Sequence, residues 1–316
     1  MLTIKDISAA LRPRRSRSAL WTLLVAGAAT GAALAIRAKR SGRYDLRGRV
    51  AVVTGGSRGL GFLVAEELAR AGCRVVICAR DPRELALARD QLGVHADVLA
   101  VTCDVSNPAH VERLVSRAIT RFGRIDLLIN NASIIHVGPL ETTTVEDFER
   151  ALAVNFWGTV HATLGVLPHM RRQRDGRVVN IASIGGKVAI PHLLPYDCAK
   201  FAVVGFSEGL RAEAARQGIS VTTVVPGLMR TGSEAHAQFK TPGDARWFSA
   251  AARLPILTVS ARRAARRIVT AARRRQGEVV IGLPAKLLRI LHDAFPAITL
   301  RTLDVANRLL PRAKPV

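Results

Sequence analysis

Four polar side chains have the types and the spacing to transfer a proton to or from a substrate oxygen: Asn155, Ser183, Tyr196 and Lys200. Tyr196 and Lys200 stand at positions i and i+4 of YDCAK, so a helix would place them on one face. A phenol with its ordinary pKa of about 10 is a poor base at neutral pH, and a nearby cation would lower that pKa. The Ser183 hydroxyl could hold the carbonyl oxygen of a ketone or an aldehyde.

A glycine-rich segment, TGGSRGLG at 54–61, separates an apolar run from a helical pattern. Glycines allow a tight turn and a close approach of the backbone, and the free N–H groups at a helix start bind phosphate. In this strand–turn–helix context the segment predicts the pyrophosphate site of a dinucleotide. The residues predicted to bind it are Gly55, Ser57, Arg58, Gly59, Leu60 and Gly61.

The end of the second apolar run reads CAR and lacks the acidic residue that binds the ribose hydroxyls of NAD. Arg80 stands there, and Arg58 lies inside the glycine loop. Two guanidinium groups can grip a 2′-phosphate, so the sequence favours NADP(H). Asp81 follows immediately and Arg80 could simply cap the strand in solvent, so NAD(H) remains the alternative.

Apolar, β-branched runs alternate with helical patterns from residue 49 onward. The predicted strands lie at 50–55, 74–80, 98–103, 125–130, 177–183, 219–225 and 278–282. Because strands that are apolar throughout are buried on both faces, the sequence predicts a Rossmann-type, doubly wound, seven-stranded parallel sheet with its ligand at the carboxyl ends of the strands. The predicted domains are a basic N-terminus (1–45), a Rossmann catalytic domain (46–285) and a basic, apolar C-terminal extension (286–316).

The spacing G-x-x-x-G-x-G resembles the glycine motif of the classical short-chain dehydrogenases/reductases, and the resemblance covers roughly residues 48–285. CDV at 103–105, NNAS at 130–133 and PG at 226–227 resemble further family motifs in the same order. Ser133 departs from the family, which usually has glycine there. The resemblance implies additional cofactor contacts from Asp104, Val105, Asn131, Ala132, Tyr196, Lys200, Pro226, Gly227 and Thr231.

The resemblance also implies a role for each of the four polar residues. Tyr196 resembles the family's general acid/base, and Lys200 resembles the residue that lowers the tyrosine pKa and binds the nicotinamide ribose. Ser183 resembles the residue that polarises the carbonyl, and Asn155 resembles the residue that supports a water relay from Lys200. The implied activity is the NADP(H)-dependent interconversion of an alcohol and a ketone or aldehyde, by a homo-oligomer.

Segments 185–195 and 228–258 are expected to border the substrate. Their large apolar residues are Val188, Ile190, Leu193, Leu194, Leu228, Met229, Trp247, Phe248 and Leu254. This composition favours an apolar or lipid-like substrate. His136 and His192 are expected at the pocket rim as polar wall or surface residues, and Trp157 is expected in the core.

Two other functions stay open. A sugar-nucleotide epimerase or dehydratase would need a larger C-terminal domain than the 90 residues that follow Pro226. A non-catalytic NADP(H)-binding membrane scaffold or sensor on the same fold would not need Ser183, Tyr196 and Lys200, which are all present.

The net charge of +23 is concentrated at the two ends of the chain, with +8 in residues 1–43 and +11 in residues 253–316. Aromatic residues are only 4%, so base stacking by a nucleic-acid binder is not indicated, and anionic lipid is the expected partner. A coding bias towards arginine is the alternative account of the C-terminal charge. The four cysteines form no C-x-x-C pair, and neither a disulfide framework nor a metal site is predicted.

The uncharged run ALWTLLVAGAATGAALAI, residues 19–36, has basic flanks. As a helix it would span about 27 Å of a roughly 30 Å hydrocarbon core, and its basic C-terminal flank is a poor cleavage site. We expect an uncleaved membrane anchor that crosses the bilayer or lies in the interface, with the catalytic domain in the cytoplasm. Segment 285–310 repeats apolar residues at helical spacing, which indicates either an amphipathic piece at a membrane surface or, the preferred interpretation, helices that cover the domain.

Overall fold

The computed structural model describes residues 44–230, 232, 236–254 and 258–311 of the chain. The predicted anchor at 19–36 and the predicted cofactor residue Thr231 lie outside the described residues. Within the described ranges, no helix combines the length and the apolar character needed to cross a membrane.

One sheet of seven parallel strands forms the centre of the described chain, as the sequence predicts. The strands are β1 (Val50–Thr54), β2 (Arg74–Ala79), β3 (Val98–Thr102), β4 (Leu127–Asn130), β5 (Gly176–Ile181), β6 (Ile219–Pro226) and β7 (Glu278–Ile281). Their order across the sheet is β3-β2-β1-β4-β5-β6-β7. The order reverses between β1 and β4, and the carboxyl ends of such a pair leave a crevice in which nucleotides bind.

Helices cover both faces of the sheet. They are α1 (Gly59–Arg70), α2 (Pro82–Gly93), α3 (Pro108–Phe122), α4 (Val145–Ala151), α5 (Gly158–Gln173), α6 (Leu194–Ala214), α7 (Pro242–Arg253), α8 (Ala261–Arg273), α9 (Leu283–Ala294) and α10 (Pro296–Asn307). One core cluster packs α1, α2 and α8 against the sheet, and the other packs α3 and α5 against the opposite face. Because every residue of β1 is buried, its valines each contribute about 1.5–3 kcal/mol to folding.

The helical pattern near 144–170 forms two helices in the structure, α4 and α5. A π-helical stretch, Leu152–Trp157, separates α4 from α5 and carries Asn155. Such wide turns often accompany functional sites. The core position predicted for Trp157 is wrong: the residue is 50% exposed, because its ring stacks on His161 at the surface rather than entering the sheet–helix core.

Two short parallel strand pairs outside the main sheet were not predicted. His136–Val137 pairs with Gln238–Phe239, and Met229–Arg230 pairs with Val259–Ser260. They fix the loops that follow β4 and β6 at the carboxyl ends of the strands. The C-terminal segment forms α9 and α10, which contact each other, and α9 packs against β7.

Candidate active site

The glycine loop after β1 takes the shape that the sequence predicts. Gly55 and Gly59 have φ angles of +63° and +55°, in the left-handed region that favours glycine. A Cβ on Gly61 would lie 2.1 Å from the Gly55 carbonyl oxygen, so helix and turn touch through bare backbone. No side chain caps the start of α1. The first N–H groups of this helix are therefore available to an anion such as a pyrophosphate.

Asn131 joins the end of β4 to this loop. Its side-chain amide donates to the carbonyl oxygens of Thr54 and Gly55, both at 3.1 Å. The Thr54 hydroxyl accepts from the backbone N–H groups of Asn131 and Ala132 at 3.0 and 3.1 Å. The two strand ends that border the crevice are thus held at a fixed separation.

Asp104, the predicted adenine contact, is held in place by its own turn. Its Oδ1 accepts from the backbone N–H and the hydroxyl of Ser106 at 2.9 and 2.7 Å. Burial opposes ionisation of this carboxyl, but the two bonds from Ser106 and the charge of Arg80 bring its pKa below the usual range. Asp104 therefore presents a fixed carboxylate to the crevice.

The two arginines predicted to bind a 2′-phosphate differ in their surroundings. Arg58 donates to Glu84 at 2.6 Å, a partner that the sequence analysis did not identify. Arg80 is exposed and has no ion-pair partner within 4.0 Å among the described residues. The Asp81 carboxylate accepts from the backbone N–H groups of Arg83 and Glu84 and so caps α2. Asp81 is thus occupied as a helix cap. The Glu84 carboxylate accepts from Ser57 and Arg58, 27 and 26 residues away, so no local spacing indicated this partner.

Three of the four predicted catalytic residues converge on one wall of the crevice: Ser183, Tyr196 and Lys200. The Ser183 hydroxyl accepts from the backbone N–H of Gly185 at 3.1 Å and lies within hydrogen-bonding reach of the tyrosine. The Lys200 Nζ donates to the Ile181 carbonyl oxygen at 2.9 Å and lies 5.5 Å from the centroid of the tyrosine ring.

Asn155 lies behind this wall and is fully buried. Its side chain makes both bonds to one backbone unit: Oδ1 accepts from the Ile134 N–H at 2.8 Å, and Nδ2 donates to the Ile134 carbonyl at 3.0 Å. Ile134 itself lines the crevice. Within the described structure, Asn155 therefore fixes the loop after β4, and its predicted part in a water relay remains a prediction.

A buried polar chain fixes the catalytic helix α6 to the sheet. Asn130 donates to the Asn180 side chain at 2.8 Å and to the Thr163 hydroxyl at 2.9 Å. Asn180 in turn donates to the Ser207 hydroxyl at 2.8 Å. Because Asn180 belongs to β5 and Ser207 to α6, this chain couples the strand that precedes Ser183 to the helix that carries Tyr196.

The described side chains alone raise the pKa of Tyr196, whereas the sequence-based expectation of a lowered pKa relied on a bound, positively charged nicotinamide as well as on Lys200. Burial raises the tyrosine pKa to about 12, partly offset by the hydrogen bond with Ser183, and the neighbouring Asp197 raises it further. Burial also lowers the pKa of Lys200 to about 7. Spacing placed the amine beside the ring, but desolvation of both groups outweighs their attraction. A tyrosinate at neutral pH thus needs stabilisation beyond that of the described side chains.

The residues above line a cavity of about 860 Å³. All the predicted cofactor-binding residues in the described part of the chain border it, whereas Asn155 does not. Of the nine predicted apolar wall residues, six line it: Ile190, Leu193, Leu228, Met229, Trp247 and Phe248. Val188, Leu194 and Leu254 do not line it. The wall is completed by further apolar residues that spacing did not identify: Ile134, Ile135, Val154, Ile184, Pro284, Ala285 and Leu288.

The two histidines expected at the rim are both buried instead and do not line the cavity. The His192 Nδ1 lies 2.9 Å from Asp244 Oδ1, and the His136 Nε2 lies 3.5 Å from Asp147. Asp244 is 52 residues from His192 along the chain, and His136 and Asp147 lie on different elements, so helix or strand spacing could reveal neither pair.

Asp197, next to Tyr196, is a buried carboxyl that the sequence analysis did not single out. Its Oδ2 accepts from the Ile190 N–H at 2.6 Å, and its Oδ1 has no hydrogen-bond partner among the described residues. Burial raises its pKa to about 8, although the Ile190 N–H favours the charged form. This carboxyl is therefore neutral in the folded protein at and below neutral pH.

We expect Asp197→Asn to be more stable than the wild type near pH 8, by about 1–3 kcal/mol. The unfolded carboxyl ionises above its usual pKa of 3.8, but the folded one keeps its proton up to about pH 8. The wild type therefore loses unfolding free energy as pH rises through this window, and asparagine does not. Urea unfolding near both ends of the window measures the difference, with exposed Asp304→Asn as control. An advantage that does not shrink towards pH 4 would contradict the neutral carboxyl.

Comparison with known proteins agrees with this geometry. Residues 49–240 match the family model described as short chain dehydrogenase. A putative oxidoreductase SadH of Mycobacterium tuberculosis is 34% identical over 250 residues, which cover 78% of this chain and 91% of the relative. A dehydrogenase/reductase SDR family protein 7-like of Anopheles gambiae is 37% identical over 202 residues, which cover 62% of this chain and 63% of the relative.

A solved structure has the same fold. The crystal structure of a short-chain dehydrogenase from Streptomyces avermitilis superposes with a TM-score of 0.71 at 28% identity, covering 82% of this chain and 97% of that one. Sequence motifs, sheet order and these relatives agree over the part of the chain that carries the crevice. The chain therefore belongs to the classical short-chain dehydrogenase/reductase family, as an oxidoreductase that acts on CH–OH groups and binds NAD(P)(H).

Proposed function

We propose that the chain interconverts an apolar, lipid-like alcohol and its ketone or aldehyde with NADP(H), at a membrane. One observation carries this proposal: Ser183 and Tyr196 share a largely apolar cavity with the glycine loop and Arg80. A phosphate-binding loop at one end and an apolar wall at the other suit a dinucleotide and an apolar substrate held side by side.

The chain's own residues then divide the work. The Ser183 hydroxyl, oriented by its bond from the Gly185 N–H, can donate to a substrate carbonyl oxygen. The Tyr196 hydroxyl, protonated at neutral pH because burial raises its pKa, supplies the proton that this oxygen needs on reduction. Lys200 lies behind the ring, where it can hold the ribose. The bound dinucleotide supplies or accepts the hydride. The reaction thus needs proton delivery, orientation and exclusion of water from the protein.

The preference for NADP(H) rests on Arg80, whose guanidinium has no ion-pair partner among the described residues. We expect Arg80→Ala to weaken NADPH binding by roughly 10- to 100-fold, because a charge-assisted bond contributes about 1.5–3 kcal/mol. NADH binding should change little. Fluorescence titration with both nucleotides measures this, and Arg89→Ala, at an exposed arginine on the helix that follows, α2, is the control. Equal losses for NADPH and NADH would contradict a 2′-phosphate contact at Arg80.

The substrate class is tested by a panel of carbonyl compounds offered to the full chain with NADPH. We expect turnover of long-chain, steroid-like or retinoid-like ketones and aldehydes, and little turnover of small polar ones. Turnover of the small polar compounds alone would contradict the apolar substrate.

The proposed setting is a homo-oligomer held to the membrane by the 19–36 segment, with its catalytic domain in the cytoplasm, where NADPH is supplied. Support for the setting comes from the sequence of that segment and its basic flanks. Detergent dependence of the full chain measures the attachment, and a full chain that stays dispersed without detergent or lipid would contradict it.

A further inference from the structure

The helices α9 and α10, here called the C-terminal helix pair, are apolar on two opposite sides. On the inner side, Ala285, Leu288 and Leu303 pack against Ile184, Val188 and Val225, beside the catalytic wall. These contacts bury one side of each helix. A helix that is apolar on its other side as well needs a second apolar neighbour.

The outer side carries a stripe of exposed large apolar residues. In α9 they are Leu283, Leu287, Ile290 and Leu291, and in and after α10 they are Ile298, Val305 and Leu309. Their spacing places each set along one face, opposite the buried inner residues. Ile290 and Ile298 are 62% and 64% exposed. Isolated exposed leucines are ordinary, but several exposed apolar residues on the outer faces of two contacting helices mark an interaction surface.

Positive charge borders this outer stripe. Lys286, Arg301 and Arg308 are exposed, lie on the flank next to the stripe by helical spacing, and form no ion pair within 4.0 Å with the described residues. Of the two acids on these helices, Asp293 is paired with Arg289, and Asp304 offsets only one of the three cations. A surface that combines an apolar stripe with unpaired cations is complementary to the headgroup and acyl region of an anionic bilayer.

A second copy of the chain fits this surface less well. Two copies that met through their outer stripes would bring like charges from Lys286, Arg301 and Arg308 together, in a chain whose net charge is already +23. Unpaired like charges oppose such an association, whereas acidic headgroups would neutralise them.

We propose that the outer stripe of the C-terminal helix pair binds an anionic lipid surface and brings the substrate cavity against it. The inner side supplies Pro284, Ala285 and Leu288 to the cavity lining, so the same helix, α9, borders both the lipid and the substrate. An apolar substrate then passes from the bilayer along this helix without crossing water. The inference extends the proposed membrane attachment, but it rests on neither the 19–36 segment nor the identity of the substrate.

Fluorescent labels at single positions of the full chain test this contact directly. Of the four cysteines, only Cys198 is exposed, so Cys198→Ser gives a background without an accessible thiol. Ile290→Cys or Ile298→Cys then receives an environment-sensitive fluorophore, and Leu87→Cys on α2, 65% exposed, is the matched control. The vesicles are phosphatidylcholine with phosphatidylglycerol, and they carry lipids with a quencher on the acyl chain.

We expect the labels at 290 and 298 to shift to shorter wavelength and lose most of their fluorescence, while the label at 87 does neither. Omitting phosphatidylglycerol, or replacing Lys286, Arg301 and Arg308 by glutamine, should weaken the response. Labels at 290 and 298 that stay as water-exposed as the label at 87 would overturn the proposal. If the chain still binds vesicles while these labels stay water-exposed, the proposed attachment through residues 19–36 is not contradicted. A shift without vesicles that grows with protein concentration would also overturn it, in favour of a second copy.

Discussion

Replacement of Tyr196 by phenylalanine is expected to lower kcat for NADPH-linked reduction by about 10²- to 10⁴-fold, the usual range for loss of a general acid. The Kd for NADPH should change far less than kcat, because Tyr196 is one of many predicted cofactor contacts and the glycine loop and Arg80 are untouched. The hydroxyl is the only group removed, and it lies beside Ser183 in the cavity. Steady-state kinetics on whichever carbonyl compound turns over, with a direct NADPH titration, separate the two quantities.

The chain offers an unusually close control, since its two tyrosines are Tyr44 and Tyr196. The Tyr44 hydroxyl donates to Asp175 at 2.9 Å, outside the residues that line the cavity. Tyr44→Phe should therefore keep kcat and lose about 0.5–1.5 kcal/mol of unfolding free energy. A Tyr196→Phe enzyme with full turnover would exclude the proposed proton donor. A wild type that binds NADPH but reduces nothing in a broad screen would instead support the scaffold alternative.

The same environment gives a direction for pH dependence. Because burial raises the Tyr196 pKa to about 12, the phenol stays protonated across the neutral range. Proton donation on reduction then needs no change of charge in the free enzyme, whereas alcohol oxidation needs tyrosinate and should be favoured by alkali. Asp197 acts in the opposite sense above about pH 8, where its carboxylate forms and opposes a tyrosinate beside it.

The sheet could be predicted because its signal is local. Runs such as VAVVT and RVVICA are buried along nearly their whole length. Their apolar composition therefore predicts a strand even when the neighbouring strands are unknown. The glycine loop could also be predicted, because Gly55, Gly59 and Gly61 each meet a steric requirement within one turn. The order of strands and helices along the chain then predicted which strand ends lie next to each other, and therefore where the cavity lies.

What the sequence did not reveal depends on distant partners or on side-chain direction. The interruption of the helix at Asn155 coincides with two hydrogen bonds to Ile134, 21 residues away. The partner of His192 is Asp244, 52 residues away. The spacing of Tyr196 and Lys200 predicted a shared helix face but could not show that the amine donates to Ile181. Nor could spacing show that burial opposes the charged form of both groups, which raises the tyrosine pKa in the absence of a bound nicotinamide.

Gly61→Ala is expected to raise the Kd for NADPH by at least about tenfold. The new Cβ would lie 2.1 Å from the Gly55 carbonyl oxygen and 2.4 Å from the Asn131 amide nitrogen. The nearest of these is backbone, so the turn itself must move. That movement breaks the bonds from Asn131 to Thr54 and Gly55 and turns the start of α1 away from the phosphate position.

Gly93 provides a matched control in the same Rossmann unit. A Cβ on Gly93, the last residue of α2, would meet nothing within 4 Å. Gly93→Ala should keep NADPH affinity and gain up to about 1 kcal/mol of unfolding free energy, because alanine is the better helix former. Gly61→Ala should lose about 1–3 kcal/mol as an overpacked site. Thermal unfolding with and without NADPH measures both effects. If NADPH stabilises Gly61→Ala as strongly as the wild type, the loop tolerates a side chain at this position. The close contact between the two backbones would then not be what maintains the shape of the phosphate site.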